Sequence, residues 1–269
     1  MSDLEFLQNF DKGYIHASNI LGKLRAKDSS GAKQDFLREC IAKYRVFDEA
    51  FSSGDLGAKV KAWNEYLNFV RENNKHFTAQ SKFEPTILEE VLFRLFKPVK
   101  EQKIEIGNAK AYSNLYFSPT NFAEFKVKDN VKINCKDQDF AIYKSVKFTL
   151  ESGENIEMSV PVVAFECKTY LDKTMLESAV ATAEKIKTGN PSCRFCIVAE
   201  WYSVDKAVDI RSSRIDQIYV LKKDANKGNH ALRDIEASVV KRLYDDTIEH
   251  LGKDWSSVER NISEKGVVL

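Results

Sequence analysis

The first 80 residues carry apolar side chains at helical spacing. Two stripes show this pattern: Phe36, Cys40, Tyr44 and Phe47, followed by Val60, Trp63, Tyr66, Leu67 and Val70. Residues three or four apart lie on one face of a helix, so each stripe predicts an amphipathic helix. Stretches with serine and glycine at 29–33 and 52–57 predict breaks between helices. We therefore expect residues 1–80 to form a helical N-terminal region, followed by a linker at 76–85.

The pattern changes after residue 84. The stretch TILEEVLFRLFKPV predicts one more helix, and Thr86 and Glu89 have the spacing of a capping box at its start. The aromatic stretch 111–122 predicts a loop. Apolar or alternating runs then predict strands at 124–133, 139–150, 159–170, 194–202 and 215–223, with helices from Thr174 to about Gly189 and at about 232–251. This order predicts an α/β (α+β) domain over residues 84–269, in which helices flank a mixed sheet.

A second capping-box spacing marks the helix after the 159–170 strand. Thr174 would accept a hydrogen bond at the start of this helix, and Glu177 would complete the box. The predicted inner face of the helix comprises Leu176, Ala179, Val180, Ala183 and Ile186.

Charge and composition narrow the class of protein. Lys plus Arg total 41 and Asp plus Glu total 40, which argues only weakly against a nucleic-acid binder because a local basic patch is sufficient. The start of the chain lacks a basic segment followed by an apolar run, and no apolar stretch reaches about 18 residues. Five scattered cysteines in such a chain indicate a reducing compartment. We expect a soluble cytoplasmic protein without a membrane span.

The cysteines do not form a zinc-binding pattern. Cys193 and Cys196 are spaced as C-x-x-C, but no second pair of cysteines or histidines accompanies them. Both lie at a predicted strand, where residues three apart face opposite sides of a sheet. We therefore predict two separate buried thiols.

A charged pair ends the apolar strand VPVVAFECKTY. Glu166 and Lys168 are two residues apart, so they project from one face of the strand while Cys167 faces the other. Asp139 opens a predicted strand upstream and can reach the same end of the sheet if the two strands pair. Two such carboxylates suit Mg²⁺, and a neighbouring ammonium can orient or help deprotonate a water that attacks phosphorus. The alternative is a solvated ion pair worth about 0–1 kcal/mol.

These residues resemble the core of the PD-(D/E)xK nucleases, the fold of many restriction endonucleases. The resemblance lies in D-F-A-I at 139–142, V-A-F-E-C-K at 163–168 and the helix that follows. The proline of the motif is replaced by Gln138. Longer stretches resemble the BbvCI-like family of type II restriction endonucleases, namely 85–90, 136–140, 160–187, 198–202 and 215–221. The implied fold is a PD-(D/E)xK restriction-endonuclease-like core with a helical N-terminal region.

The resemblance assigns roles to individual residues. Asp139 and Glu166 would be metal ligands, and Lys168 would activate the attacking water. Glu89 matches an additional glutamate that many such nucleases hold near the metal; the alternative for Glu89 is the capping box with Thr86.

Three other acidic residues compete for a role or fall outside the site. Asp137 could replace Asp139, but Asp139 directly precedes the apolar strand and is preferred. We expect Glu90 to be solvated, and Glu184 to be an exposed helix charge with a supporting role as its alternative.

Basic residues are candidates for DNA contacts. The predicted phosphate contacts are Lys126, Lys128 and Lys136, with Lys132 in the same cluster. An ordinary exposed strand face is the alternative for these lysines. Groups able to contact base edges include Tyr112, Asn114, Tyr116 and Asn121 and, in the R-S-S-R run, Arg211 and Arg214.

The resemblance implies a Mg²⁺-dependent type II restriction endonuclease that cuts double-stranded DNA at a short site of the CCTNAGC type. One chain carries one active site, so a double-strand cut requires a homodimer or a heterodimer with a related subunit. A companion DNA methyltransferase would protect the host DNA, and residues 1–80 would serve DNA recognition or dimerisation. The alternatives are a catalytically silent DNA-binding or partner subunit and a structure-specific repair nuclease with the same core.

Overall fold

The computed structural model describes residues 2–26, 31–76, 82–102, 104–118, 121, 123, 131–149, 153, 155–205, 208–253 and 258–266. Its N-terminal region consists of α1 (Asp3–Gln8), α2 (Ile15–Arg25), α3 (Gly31–Ser53) and α4 (Leu56–Glu72). Among the helices in these ranges, none is both long and apolar enough to cross a membrane.

The predicted apolar stripes of α3 and α4 pack against each other. Tyr66 of α4 contacts Tyr44 and Phe47 of α3, with ring centroids 5.7 and 5.3 Å away. Asp55 caps α4 by accepting a hydrogen bond from the main-chain N–H of Ala58 at 2.8 Å. The predicted helical N-terminal region is therefore confirmed.

The rest of the chain forms a five-stranded mixed sheet with helices on both faces. Its elements are α5 (Pro85–Phe96), β1 (Glu105–Phe117), β2 (Val131–Thr149), β3 (Asn155–Leu171), α6 (Lys173–Gly189), β4 (Arg194–Tyr202), β5 (Gln217–Val220), α7 (Ala237–Leu251) and α8 (Val258–Lys265). Short 3₁₀ helices lie at Asn74–His76, Lys97–Gln102, Ile210–Ser212 and His230–Leu232. The strand order is β1-β2-β3-β4-β5, with β1–β2 and β2–β3 antiparallel and β3–β4 and β4–β5 parallel. The predicted α+β arrangement is confirmed.

The strand predictions before β3 are partly wrong. Residues 111–117 belong to β1 and are not a loop, because Ala109 and Ala111 are buried and the strand pairs with β2 along its length. The predicted strands at 124–133 and 139–150 meet in one strand, β2, whose described part begins at Val131; residues 124–130 lie outside the described part. Asp139 therefore lies within β2 and does not open a strand. Pairing with β1 extends β2 through a polar stretch that local propensity does not favour.

Both predicted capping boxes are wrong. Helix α5 begins at Pro85, which suits the first helical position because proline lacks an N–H. The Thr86 hydroxyl donates instead to the carbonyl of Phe83 at 2.8 Å. Helix α6 begins one residue earlier than predicted, because the side chain of Asp172 accepts a hydrogen bond from the N–H of Met175 at 2.8 Å.

Two hydrophobic cores lie on opposite faces of the sheet. The core beneath α6 contains Ala111, Ala164 and Cys193, whereas Phe165 and Cys196 belong to the core shared by the N-terminal helices, α5 and α7. The prediction of two separate buried thiols is confirmed, since Cys193 is 1% exposed and Cys196 is fully buried.

Candidate active site

The candidate active site lies where β2 and β3 separate. Their antiparallel pairing runs from Thr149 and Asn155 to Phe140 and Phe165, which form its last pair. Beyond this pair β2 continues against β1, and β3 continues against β4. Asp139 and Glu166 are the next residues on the two strands, so the carboxylates lie at the base of a fork.

A β-bulge sets the position of Asp139. Gly107 pairs with Ala141 and Ala109 pairs with Gln138, so the single residue Asn108 of β1 faces two residues of β2. A bulge of this kind redirects side chains and is common beside active sites. Gly107 has a φ of +132°, a conformation that glycine tolerates and residues with a Cβ avoid.

The three predicted catalytic side chains converge at this fork. Lys168 Nζ lies 2.6 Å from Glu166 Oε1 and 4.0 Å from Asp139 Oδ2. Asp139 Oδ2 also accepts a hydrogen bond from the main-chain N–H of Cys167 at 2.8 Å. The side chains of Asp139, Glu166 and Lys168 are 32%, 18% and 25% exposed, so the cluster is partly shielded and still open to a ligand.

Lys168 is held as an ammonium. Burial by itself would lower the pKa of Lys168, but the hydrogen bond and charge of Glu166, together with the charge of Asp139, outweigh burial and raise it. Cys167 lies on the opposite side of the strand, where burial and the nearby carboxylates raise the pKa of its thiol well above the usual value. The cation at this fork is therefore Lys168, and the thiol of Cys167 stays protonated.

Asn108 was not predicted from the sequence, and it joins Glu89 to the fork. The side-chain amide of Asn108 donates to Glu89 Oε2 at 3.2 Å and to the main-chain carbonyl of Asp139 at 2.8 Å. Burial, with a smaller contribution from the charge of Asp139, raises the pKa of Glu89 to about 7 despite the hydrogen bond from Asn108. The sequence signal for this arrangement is Gly107, because an isolated glycine inside a strand often marks a bulge.

The prediction for Glu90 is wrong. Glu90 is fully buried, where it accepts hydrogen bonds from Tyr44 at 2.5 Å, from the main-chain N–H of Ala17 at 2.9 Å and from Arg94 at 3.0 Å. Arg94 also binds Asp48 at 2.7 Å. Glu90 thus links α2, α3 and α5, and its burial is satisfied by tertiary partners that a helical pattern cannot reveal.

The predicted DNA contacts that the structure describes lie on different elements. Lys126 and Lys128 lie outside the described residues, whereas Lys136 is exposed on β2 opposite Ala111. Arg211 pairs with Asp209, and Arg214 pairs with Glu184, each at 3.0 Å. Glu184 is partly exposed, as expected of a helix charge, and Asp137 is exposed opposite Lys110.

The carboxylates of the fork fit a magnesium ion by their chemistry. Mg²⁺ takes oxygen ligands and is commonly bound by one or two carboxylates together with waters and substrate phosphates. Asp139 and Glu166 can supply those two carboxylates. Within the described ranges, no group of three or more His, Cys, Asp and Glu side chains could hold a metal ion. A site with two carboxylates leaves the other coordination positions of Mg²⁺ to waters and substrate phosphates.

A solved structure shares the fold of this chain. A chain of the native BbvCI A2B2 tetramer, solved at low resolution, matches with a TM-score of 0.69 and 19% sequence identity, over 90% of this chain and 97% of that chain. At this identity the likeness concerns the fold. The chain belongs to the Bpu10I restriction endonuclease family, whose family model matches residues 80–264.

Family membership confirms the resemblance seen in the sequence and makes the protein a restriction endonuclease, hence a nuclease and a hydrolase. A comparison with curated protein sequences finds no match.

Proposed function

We propose that this chain is a subunit of a Mg²⁺-dependent type II restriction endonuclease that hydrolyses double-stranded DNA at a short specific site. The observation that carries the proposal is the convergence of Asp139, Glu166 and Lys168 at the β2–β3 fork, with Lys168 Nζ within 4.0 Å of both carboxylates. An isolated surface ion pair would need neither the second carboxylate nor the bulge that directs it to the fork.

Each residue of the fork has a distinct task in phosphodiester hydrolysis. Asp139 and Glu166 would hold the ion, and the bond from the Cys167 N–H fixes the orientation of the Asp139 carboxylate. When bound, Mg²⁺ would neutralise charge on the phosphate oxygens and lower the pKa of a coordinated water. Glu89, oriented by Asn108, would support the ion from the side of α5.

Lys168 would act as a charged hydrogen-bond donor. Its raised pKa keeps it protonated at neutral pH, so the ammonium can orient the attacking water and stabilise charge on the phosphate. In the reaction the water oxygen forms a bond to phosphorus and releases a proton to solvent, one P–O ester bond breaks, and the leaving oxygen takes a proton from solvent. A protonated Lys168 promotes these changes by electrostatics and positioning rather than by removing the proton itself.

A double-strand cut requires two active sites. We propose that the chain works as a homodimer or as a heterodimer with a related subunit, at a site of the CCTNAGC type. The BbvCI neighbour is itself an A2B2 assembly, which agrees with a multi-subunit enzyme. A companion DNA methyltransferase would protect the host DNA, and the protein would act in the cytoplasm.

Digestion of plasmid DNA by the assembled enzyme in Mg²⁺ tests this proposal. Discrete fragments that disappear without Mg²⁺ are the expected result. Binding without cleavage would identify a silent DNA-binding subunit, and cuts confined to branched or damaged DNA would identify a repair nuclease.

A further inference from the structure

A two-stranded ribbon extends from the catalytic fork. Its strands are Ala109–Phe117 of β1 and Val131–Gln138 of β2, paired antiparallel. Much of the ribbon is open to solvent: Leu115, Tyr116 and Phe117 are 42%, 41% and 60% exposed, and Lys132, Asn134 and Lys136 are exposed as well. The last residue of the β2 half directly precedes Asp139, so the ribbon and the candidate active site share one strand.

One face of the ribbon carries groups suited to nucleic acid. Lys132, Asn134 and Lys136 alternate along β2 and therefore share a face, and Tyr116 and Asn114 lie opposite Lys132 and Asn134. The two charged residues of this face, Lys132 and Lys136, are both positive. The opposite face of the outer ribbon carries the apolar pairs Leu115–Ile133 and Phe117–Val131.

The two asparagines form a hydrogen-bonded pair across the ribbon. Asn134 Nδ2 donates to Asn114 Oδ1 at 2.8 Å. Within the described part of the chain, the side-chain atoms Asn134 Oδ1 and Asn114 Nδ2 have no hydrogen-bond partner, whereas the main-chain carbonyl of Asn134 accepts from Ser113 Oγ at 3.0 Å. The pair thus keeps an amide oxygen as acceptor and amide N–H groups as donors, which complement the N6 donor and N7 acceptor of adenine in the major groove.

The polar face of the ribbon lies on the same side of the sheet as the catalytic residues. Ala111 and Ala164 both pack in the core beneath α6. Lys136 pairs with Ala111, and Glu166 follows Ala164 by two residues. Cross-strand partners and residues two apart share a face, so Lys136 and Glu166 project from the same side of the sheet.

We propose that the β1–β2 ribbon enters the major groove of DNA, that Asn114 and Asn134 jointly contact the edge of an adenine, and that Lys132 and Lys136 bind the flanking phosphates. This inference rests on the proposed nuclease function. The major groove is wide enough for a two-stranded ribbon. Asn134 lies five residues before Asp139, about 17 Å along a strand, so the contacted base pair lies within about five base pairs of the cut.

A native thiol tests whether the ribbon enters the groove. Cys135 lies between Asn134 and Lys136, so it projects from the opposite face of β2, and DNA shields it when the groove encloses both faces of the ribbon. Cys135 is exposed on the ribbon, whereas Cys40, Cys193 and Cys196 are buried, with pKa values raised by burial to about 11, 12 and 12. Partial burial also raises the pKa of Cys135, so labelling with N-ethylmaleimide is run at about pH 8.5, where more thiolate forms. The assembled enzyme carrying Lys168→Ala is labelled with and without sheared plasmid DNA, and intact mass reports the extent. The variant Cys135→Ser shows which part of the added mass comes from labelling of Cys135.

The second measurement compares cleavage specificity. A DNA library randomised around the mapped cut is digested by three enzymes: the wild type, Asn134→Ala and the double variant Asn114→Ala/Asn134→Ala. Discrimination in favour of one A·T pair within about five base pairs of the cut should fall about ten- to hundredfold in both variants. Asn155→Ala is the matched control, because Asn155 is an exposed strand residue that accepts one side-chain hydrogen bond from Thr149 at the other end of β2.

The outcomes separate this inference from the proposed function. Slower Cys135 labelling in the presence of DNA, together with relaxed discrimination in the asparagine variants alone, supports the inference. Cleavage by the wild type with unchanged Cys135 labelling and unchanged discrimination overturns the ribbon contact and leaves the nuclease function intact. If the wild type does not cleave DNA and DNA does not protect Cys135, both the inference and the proposed function are overturned.

Discussion

Asp139 Oδ2 accepts a hydrogen bond at 2.8 Å from the main-chain N–H of Cys167, the residue between Glu166 and Lys168. This single bond joins β2 to β3 just beyond their last paired residues. It fixes the Asp139 carboxylate relative to both charged neighbours, whose side chains project from the strand that donates the bond. The geometry of the proposed active site therefore depends on one hydrogen bond between a side chain of β2 and the main chain of β3.

Asp139→Asn separates the charge of Asp139 from its structural bond. The amide oxygen of asparagine can still accept from the Cys167 N–H, so the midpoint of thermal unfolding should change little. Loss of the carboxylate charge should lower the cleavage rate at least about a hundredfold, in the range seen when an electrostatic group is removed from an active site. Parallel measurement of unfolding and single-turnover cleavage checks both parts. A large loss of stability would show that the charge, and not the bond, maintains the fork.

Asn108→Ala tests the positioning of Glu89. The substitution removes the bonds to Glu89 and to the Asp139 carbonyl, with a stability cost of about 0.5–1.5 kcal/mol. A positioning residue should also change the dependence on Mg²⁺, so the half-saturating Mg²⁺ concentration for cleavage should rise. Asn73→Ala is the control, since Asn73 makes a comparable bond to the Phe69 carbonyl in α4. Equal Mg²⁺ dependence in the two variants would limit Asn108 to a structural role.

The adjacent glutamates Glu89 and Glu90 should respond in opposite ways to alanine substitution. Glu90→Ala leaves the buried guanidinium of Arg94 without one of its acidic partners and should destabilise the fold by about 3–5 kcal/mol. Glu89→Ala should cost little stability and should reduce cleavage instead. Chemical denaturation and cleavage rates measured on both variants check this contrast, and similar stability losses in the two would contradict it.

The raised pKa of Glu89 predicts a pH-dependent penalty on stability. Between the ordinary pKa of 4.5 and the folded value of about 7, the folded protein retains a proton that the unfolded chain has released. The contribution of Glu89 to stability therefore falls as pH rises through this window, and the penalty is fully present above about pH 7. Glu89→Gln removes the titrating group and should gain stability relative to wild type as pH rises from about 5 to about 8.

Mg²⁺ should reduce the stability penalty of ionised Glu89 if Glu89 supports the ion. Added Mg²⁺ at about pH 8 should stabilise the wild type more than Glu89→Gln, because an ion favours the ionised carboxylate. Glu177→Gln, an exposed helix substitution, serves as the control. Parallel stability curves for wild type and Glu89→Gln over the whole pH range would show that Glu89 does not titrate in the folded protein as proposed.

The sequence predicted the order of elements from β3 onward and the shared face of Glu166 and Lys168, because those features follow from local periodicity. The approach of Asp139 to this pair depended on pairing between its strand and β3, which the structure shows. The bounds of β4, Arg194–Tyr202, follow from its largely apolar sequence. The bulge at Asp139 could not be predicted in this way, since it depends on the register between β1 and β2. Glu90 was misjudged for a related reason: its partners Tyr44 and Arg94 stabilise a buried charge that the local pattern treats as solvated.

The central claim is that the β2–β3 fork is the hydrolytic centre, and single-turnover cleavage of bound duplex DNA in Mg²⁺ tests it most directly. Lys168→Ala and Glu166→Ala are compared with Glu157→Ala, whose residue forms an exposed pair with Lys147 on the same two strands. Lys168→Ala and Glu166→Ala should bind DNA and lose at least about a hundredfold in rate, while Glu157→Ala cleaves like wild type. Wild-type cleavage rates in both fork variants, with DNA binding intact, would contradict the account.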